Sequence, residues 1–264
     1  MVAKALTIAG SDSGGGAGIQ ADLKAFSAMG VFGASVITAI TAQNTTAVTA
    51  VHPIPDDVVA KQIRAVLDDI DIGAIKIGML GTPSLMQAVA DAIAGFSGPV
   101  VLDPVMVAKS GDALLHDSAI DALRRVLLPR ADLLTPNLPE AGKLLDHPTD
   151  TPADAEAQAE ALLALGAKAV LMKGGHADGE TCTDLLVQQG RSDTFSAPRI
   201  ATQNTHGTGC SYSSAIAALL AKGTTLQDAA GQAHDWLHGA ITRADELNVG
   251  HGHGPVHHFY QMWG

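Results

Sequence analysis

Cysteine and aromatic residues are scarce in this sequence. Two cysteines, Cys182 and Cys210, occur among 264 residues, and aromatic side chains make up 3% of the chain. Two cysteines cannot provide the disulfide framework on which small secreted domains depend. We interpret Cys182 as a structural thiol and Cys210 as a free thiol in a functional loop. The apolar content of 47% indicates a chain that buries a full hydrophobic core.

Clustered positive charge and long apolar segments are also missing. The chain has 16 lysines and arginines against 27 acidic residues, a net charge of −11, and no basic run. These features exclude a nucleic acid or an anionic membrane surface as a partner. No apolar run approaches the length that crosses a bilayer, and Met1 leads almost directly into a strand pattern. We therefore predict a cytoplasmic protein with one domain over residues 1–264.

Short apolar runs alternate with helical patterns along the chain. The runs are bounded by Gly, Pro, Asp or Asn, as buried parallel strands are, and cover residues 5–9, 35–40, 74–77, 100–102, 133–134 and 169–172. Helical patterns begin near Pro55, Pro83, Asp117 or Ser118, and Ala153. This alternation predicts an α/β fold, with a central, mostly parallel sheet between two layers of helices.

Polar and glycine-containing motifs follow the predicted strands, where parallel sheets bind ligands. They cover residues 10–12, 78–79, 103–104, 135–137 and 173–176. The glycines of residues 14–18 superficially suggest a dinucleotide site, but the third glycine is misplaced and the expected acidic residue is missing. We interpret this stretch as a loop whose backbone approaches a small substrate, with Asp22 pointing into the pocket. The alternative for Asp22 is a solvated carboxylate on a helix surface.

The run Gly207-Thr208-Gly209-Cys210 precedes an apolar segment that has the pattern of a helix. Its turn places unpaired backbone N–H groups at the positive end of the helix dipole, which is an anion-binding arrangement. The same field is expected to favour the thiolate of Cys210. The alternative is an ordinary glycine-rich loop with a buried cysteine.

Three further residues suit phosphate chemistry. Asn137 and Glu140, at a strand-to-helix junction, are candidates for holding a hydrated Mg²⁺ or for a capping box, and both interpretations can hold together. Lys173 follows a buried strand and precedes two glycines, so we expect its ammonium to reach a phosphate; the alternative is a lysine in solvent. Phosphoryl transfer requires groups of this kind: a lysine, residues that can hold Mg²⁺ and an anion-binding turn. The P-loop and protein-kinase signatures are absent from the sequence.

Histidines are concentrated towards the C-terminus. They are His234, His238, His251, His253, His257 and His258. The first two lack the glutamate of a metalloprotease motif, and the others lack a regular ligand spacing and a matching carboxylate. We therefore predict a packed, turn-rich C-terminal segment and no metal site.

In this order and combination, the motifs resemble the ribokinase-like family, and within it the bacterial hydroxymethylpyrimidine/phosphomethylpyrimidine kinases of thiamine biosynthesis. The stretches that carry the resemblance are residues 9–12, 15–24, 41–45, 76–79, 103–111, 135–141, 172–176, 204–210 and 254–259. The resemblance implies a three-layer α/β/α fold, ATP and Mg²⁺ as cofactors, a small pyrimidine acceptor and a homodimer. The implied reaction phosphorylates the hydroxymethylpyrimidine to its monophosphate and then to the pyrophosphate.

The resemblance also implies which residues hold the acceptor. It implies that Gln43 hydrogen-bonds the aminopyrimidine and that Asp22, Met79 and Val105 shape the pocket near Gly10.

At the phosphate end, the resemblance implies that Lys173 contacts the transferred phosphate and that Asn137 and Glu140 lie near Mg²⁺. The remaining residues implied there are Gly207 and Gly209 as the anion hole, Thr205 beside the nucleotide, and Cys210. The last of these stands where related sugar kinases have an aspartate base, so its thiolate is expected to accept the proton of the substrate hydroxyl.

Three other functions stay open. A pyridoxal or pyridoxine kinase has the same fold and acts on another hydroxymethyl heteroaromatic, although Gln43, Met79 and Cys210 favour the pyrimidine. A catalytically silent vitamin-binding protein is disfavoured because Lys173, Glu140 and Cys210 are all present. A ribokinase-like sugar kinase is disfavoured because a thiol replaces the aspartate base.

Overall fold

A nine-stranded sheet forms the centre of the computed structural model, which describes residues 1–106, 117–147, 155–176 and 179–263. Its strands are β1 (Lys4–Ser11), β2 (Phe32–Gln43), β3 (Val48–Pro53), β4 (Ala74–Ile77), β5 (Val100–Leu102), β6 (Leu133–Leu134), β7 (Ala169–Met172), β8 (Thr181–Gln188) and β9 (Arg191–Pro198). They lie in the order β3-β2-β1-β4-β5-β6-β7-β8-β9. The strands from β2 to β7 in this order are parallel, whereas β3, β8 and β9 pair antiparallel at the two edges.

Helices cover both faces of the sheet. They are α1 (Gly18–Ala28), α2 (Asp56–Leu67), α3 (Pro83–Ala92), α4 (Asp117–Ala122), α5 (Leu138–Leu145), α6 (Ala155–Ala164), α7 (Thr208–Ala221) and α8 (Leu226–Thr242). Neighbouring strand residues face opposite sides: Leu134 packs with the layer of α2 to α6, while Leu133 packs with the layer of α1, α7 and α8. The predicted α/β fold of three layers is therefore confirmed.

Local sequence signals explain where several helices begin. Thr82 caps α3 by accepting a hydrogen bond from the Leu85 amide, and Pro83 occupies the first turn. The predicted capping box of α5 is present, because the Asn137 side chain accepts from the Glu140 amide while Glu140 accepts from the Asn137 amide. The predicted start of a helix at Ala153 lies outside the described residues, as do residues 107–111 of the resemblance.

No helix among the described residues is both long and apolar enough to cross a membrane.

Candidate active site

A cavity of about 730 Å³ lies beyond the carboxyl ends of the parallel strands. It is lined by nearly all of the predicted site residues, namely Gly10, Gln43, Met79, Val105, Asn137, Glu140, Lys173, Thr205, Gly207, Gly209 and Cys210. These residues lie at or just after the carboxyl ends of β1, β2, β4, β5, β6 and β7, in the first turn of α5, and at the start of α7. The expectation that the motifs meet at one edge of the sheet is confirmed.

The start of α7 has the backbone that an anion site requires. Gly207 is the N-cap residue in a left-handed conformation (φ 77°), and no side chain of the described residues caps the helix. A Cβ at Gly207 would overlap the backbone oxygen of Gly16, so only glycine fits there. The Thr208 amide donates to the Thr205 carbonyl at 3.3 Å. The first-turn amides of Gly209 and Cys210, together with the helix dipole, are therefore the ones available to a negatively charged group in the cavity.

Lys173 lies in the cavity between two carboxyl groups. Its Nζ is 2.9 Å from Asp103 Oδ1 and 3.7 Å from Glu140 Oε2. Burial lowers the pKa of Lys173, but the carboxylates of Asp103 and Glu140 outweigh this and raise the pKa above its usual value. The side chain is therefore an ammonium held beside the helix start, and the alternative of a lysine in solvent is wrong.

Glu140 faces the cavity from α5 while it caps that helix. Its Oε2 accepts the Asn137 amide at 2.8 Å. Burial raises the pKa of Glu140 to about 7, a shift that Lys173 opposes and Asp103 reinforces. The capping role is thus observed, and the carboxyl group remains beside Lys173 at the same time.

Cys210 differs from the expectation for its protonation. The thiol lines the cavity, but burial raises its pKa to about 11, and the ammonium of Lys76 offsets only part of this. Nearby Asp22 and Asp103 raise the pKa further. The prediction that the helix N-terminus favours a thiolate is therefore wrong, because desolvation outweighs the field of the helix.

Asp22 also differs from the expectation, since it does not line the cavity. It is fully buried, and both carboxylate oxygens lie 2.9 Å from Lys76 Nζ. Thr7 donates to it at 2.6 Å and Ser214, on α7, at 2.7 Å. Asp22 is neither a pocket-facing carboxylate nor a solvated one: it joins β1, β4 and α7 beneath the cavity.

Lys76 was missed by the sequence interpretation. It lines the floor of the cavity although the residue is fully buried. Burial lowers its pKa, but Asp22, Cys210 and Asp103 raise it above the usual value, so the ammonium persists. The available signal was a single lysine inside the apolar strand β4, because a buried charge requires a partner.

Asp12 and His206 were missed as well. Asp12 accepts hydrogen bonds from the amides of Gly14, Gly16 and Ala17 at 2.8, 3.0 and 2.8 Å. His206 Nε2 lies 2.9 Å from the same carboxylate. These contacts fix the glycine-rich loop after β1 against the loop that leads to α7.

Two of the C-terminal histidines are packed in the interior. His257 and His258 are each 4% exposed, and His258 Nε2 lies 2.8 Å from Ser211 Oγ. Burial lowers the pKa of His258 to about 3. The predicted packing of this segment is therefore observed for its last two histidines. Within the described ranges, no three His, Cys, Asp or Glu side chains are grouped so that they could hold a metal ion.

A lysine ammonium beside an uncapped helix start, at the carboxyl edge of a three-layer α/β sheet, defines a small-molecule phosphotransferase. The family comparison identifies which one. The family model described as phosphomethylpyrimidine kinase matches residues 12–257, and the chain belongs to that family.

Curated relatives match along the full chain. The hydroxymethylpyrimidine/phosphomethylpyrimidine kinase of Rhizobium meliloti is 53% identical over 100% of this chain and 99% of its own length. The Escherichia coli protein of the same name is 52% identical over 98% of each chain.

Solved structures share the fold. A pyridoxal kinase of Bacillus subtilis in complex with ADP matches with a TM-score of 0.91 and 36% identity over 100% of both chains. A phosphomethylpyrimidine kinase of Clostridium difficile matches with a TM-score of 0.81 and 42% identity over 90% of this chain and 99% of its own. The ribokinase-like architecture implied by the motifs is confirmed.

Proposed function

We propose that this protein transfers the γ-phosphoryl group of ATP to the hydroxymethyl group of 4-amino-5-hydroxymethyl-2-methylpyrimidine. A second transfer to the resulting monophosphate yields the pyrophosphate for thiamine biosynthesis. The observation that carries the proposal is the Lys173 ammonium, which lies in the same cavity as the uncapped first turn of α7. Phosphoryl transfer depends on positioning and on neutralising charge, and these two groups supply both.

We place the acceptor ring between Gly10, Met79 and Val105, with Gln43 as its hydrogen-bonding partner. A Cβ at Gly10 would lie 2.8 Å from Met79 Cε, so glycine keeps this part of the cavity open. Asp22 acts from beneath this wall, through Lys76, and holds the floor in place.

We place the phosphates of ATP between Lys173 and the first turn of α7, with Thr205, Gly207 and Gly209 along the turn and Asn137 opposite. All five residues line the cavity. A pyridoxal kinase of Staphylococcus aureus has been solved with ADP (34% identical) and with AMP-PCP (33% identical), in both cases over 99% of this chain. That relative supports a nucleotide as the phosphoryl donor.

The residues near Lys173 fit a magnesium ion. Mg²⁺ keeps several waters and uses one or two carboxylates together with substrate phosphates. Glu140 supplies a buried carboxyl group whose pKa of about 7 leaves it ready to ionise beside a cation. We propose that Glu140 and Asn137 hold this ion, through its water shell, and that the bound ion neutralises charge on the phosphates.

Cys210 keeps its proposed place beside the reacting hydroxyl group. Its thiol is protonated at neutral pH, since its pKa is about 11. A loose transition state needs little proton removal before the new P–O bond forms. We therefore propose that Cys210 contacts the hydroxyl group. Cys210 can act as a base only when the bound substrates lower the pKa of its thiol.

We further propose that the protein acts as a homodimer in the cytoplasm. The edge pair β2 and β3 exposes two large aliphatic residues, Ile40 and Val51, each 49% accessible. A second copy of the chain is one way to cover these side chains. Light scattering on the purified protein measures the oligomeric state, and a monomer at micromolar concentration contradicts the dimer.

A coupled assay with Mg-ATP tests the function. It compares the hydroxymethylpyrimidine, its monophosphate and pyridoxal as acceptors. Turnover of both pyrimidines, with pyridoxal much poorer, is expected. The second candidate is a pyridoxal kinase, favoured by the TM-score of 0.91 to the Bacillus subtilis enzyme; a preference for pyridoxal supports it and overturns the proposal.

A further inference from the structure

The carboxamide of Gln43 is held at both ends by side chains of the cavity wall. Gln43 Nε2 lies 3.3 Å from His206 Nε2, and Gln43 Oε1 lies 3.2 Å from Thr41 Oγ1. The backbone of Gln43 is fixed as well, since its N–H donates to Ser13 Oγ and its carbonyl accepts from the same hydroxyl. The remaining freedom of Gln43 is therefore the orientation of its carboxamide.

Asp12 determines which nitrogen of the His206 ring carries a proton. The Asp12 carboxylate accepts three backbone amides and lies 2.9 Å from His206 Nε2. Burial raises the pKa of Asp12, but the hydrogen bonds from His206 and from the amides outweigh this and hold the pKa below its usual value. An ionised carboxylate only accepts hydrogen bonds, so Nε2 carries a proton, donates its single N–H to Asp12 and has no lone pair to offer Gln43.

Ser11 determines the direction in which the Thr41 hydroxyl donates its proton. The Thr41 hydroxyl donates to the Ser11 carbonyl at 2.8 Å, which is shorter than its 3.2 Å distance to the Gln43 carboxamide. A hydroxyl has one proton to donate and two lone pairs that accept. Towards Gln43, Thr41 is therefore an acceptor.

From these two constraints we infer that His206 is a specificity-determining positioning residue. Because Nε2 has no lone pair, the Gln43 amino group finds no acceptor at His206 and faces Thr41, which accepts. The carboxamide oxygen then faces His206, where it shares the N–H that is donated mainly to Asp12 in a three-centre hydrogen bond. The two orientations of a carboxamide fill the same space, so the hydrogen-bond network alone selects between them. Asp12 acts in turn on His206 by fixing the proton on Nε2.

The consequence concerns the acceptor, and it rests on the proposed function. An oriented carboxamide offers the cavity one N–H donor and one carbonyl lone pair in a fixed order. An aminopyrimidine presents the complement, a ring nitrogen that accepts beside an amino group that donates, as adenine does to glutamine. Pyridoxal has no amino group beside its ring nitrogen, so a change of the Gln43 orientation weakens the binding of pyridoxal less.

The kinetic test uses two variants of His206. His206→Gln retains an N–H donor near the position of Nε2, whereas His206→Met removes the donor and keeps an apolar side chain of similar length. We expect His206→Met to raise KM for the hydroxymethylpyrimidine about tenfold while KM for pyridoxal changes less than about twofold. His206→Gln restores the lower KM. Equal changes with both acceptors, or a fall confined to kcat, overturn the inference.

A second variant covers the case in which His206→Met does not fold. Thr41→Val removes the acceptor at the other end of the carboxamide, and the same selective rise in KM for the pyrimidine is expected. An unchanged ratio between the two acceptors in Thr41→Val overturns the inference.

Nitrogen-15 NMR of the histidine rings gives a readout without substrate. We expect His206, assigned by comparison with His206→Gln, to show a protonated Nε2 in the ligand-free protein. A neutral ring with a bare Nε2 overturns the inference whatever the kinetics. If the wild-type protein does not phosphorylate the pyrimidine, the proposed function fails, and the NMR result still decides whether Nε2 of His206 carries the proton on which the inference depends.

Discussion

The backbone of Gly209 approaches Lys173 so closely that a Cβ at Gly209 would lie 3.2 Å from the lysine Nζ. The same Nζ contacts Asp103 Oδ1 at 2.9 Å. Contacts with the helix start and with the carboxylate thus set the position of the ammonium. A methyl group at Gly209 would have to displace the flexible end of the lysine.

The first prediction is that Gly209→Ala impairs catalysis and leaves the fold intact. Displacing the ammonium weakens charge neutralisation, so kcat is expected to fall about tenfold or more. Steady-state kinetics and thermal unfolding measure the two effects. Gly95→Ala is the matched control, since a Cβ there meets nothing within 4 Å. A Gly209→Ala enzyme with wild-type kcat contradicts this account of Lys173.

The second prediction separates backbone strain from steric overlap. Gly207 (φ 77°) and Gly223 (φ 84°) both have left-handed backbones, but a Cβ meets backbone only at Gly207. Gly223→Ala is expected to cost about 1 kcal/mol, and Gly207→Ala more than about 2 kcal/mol because the overlap adds to the strain. Urea unfolding of both variants measures the free energies. Equal costs would show that the contact between Gly207 and Gly16 is not tight.

The fold was predictable where strands are buried on both faces. Residues 74–77 and 133–134 form β4 and β6 within the predicted limits, because parallel strands under two helix layers are continuous apolar runs. The three antiparallel strands, β3, β8 and β9, were missed. β9 is exposed at alternate positions and carries charged residues such as Arg191 and Asp193, a pattern that does not stand out from a loop.

The site was predictable where one short motif carries the chemistry. The turn from Gly207 to Cys210 and the capping box of Asn137 and Glu140 are local, so spacing alone located them. The ion pair of Asp22 and Lys76 joins residues 54 positions apart, and the contact of Asp12 with His206 joins residues 194 apart. Such partners are set by the tertiary fold, and burial set by the same fold reversed the expected ionisation of Cys210.

The third prediction concerns Glu140 and pH. The folded protein retains the proton of Glu140 up to a pH of about 7, whereas the free carboxyl group loses it near 4.5. Between these values the folded state binds more protons, so this group lowers stability as pH rises. Glu140→Gln removes this loss of stability at high pH while keeping a hydrogen-bond acceptor for the cap of α5.

Thermal unfolding at several pH values measures this effect. Glu140→Gln is expected to be more stable than the wild type at pH above about 8, by on the order of 1–3 kcal/mol, with a smaller difference below pH of about 5. Activity is expected to fall at the same time, because the variant loses the carboxylate proposed to hold Mg²⁺. A stability difference that is independent of pH contradicts the raised pKa.

The fourth prediction is that the Cys210 thiol reacts slowly at neutral pH. Its pKa of about 11 leaves little thiolate, and the thiolate is the species that is alkylated. The rate of alkylation by iodoacetamide is expected to rise steadily through pH of about 10. Cys182→Ser supplies a protein whose single thiol is Cys210, and Cys210→Ser is its control. A rate that levels off near neutral pH would restore the expectation of a thiolate.

Phosphorus-31 NMR of the reaction with Mg-ATP and the hydroxymethylpyrimidine tests the central claim most directly, with wild type and Lys173→Met run side by side. The account predicts that the wild type forms the pyrimidine monophosphate and then the pyrophosphate. Lys173→Met is expected to slow both steps about a hundredfold or more, because the ammonium neutralises charge in each transfer. ATP consumption without a phosphorylated pyrimidine, or a Lys173→Met enzyme as fast as the wild type, would contradict it.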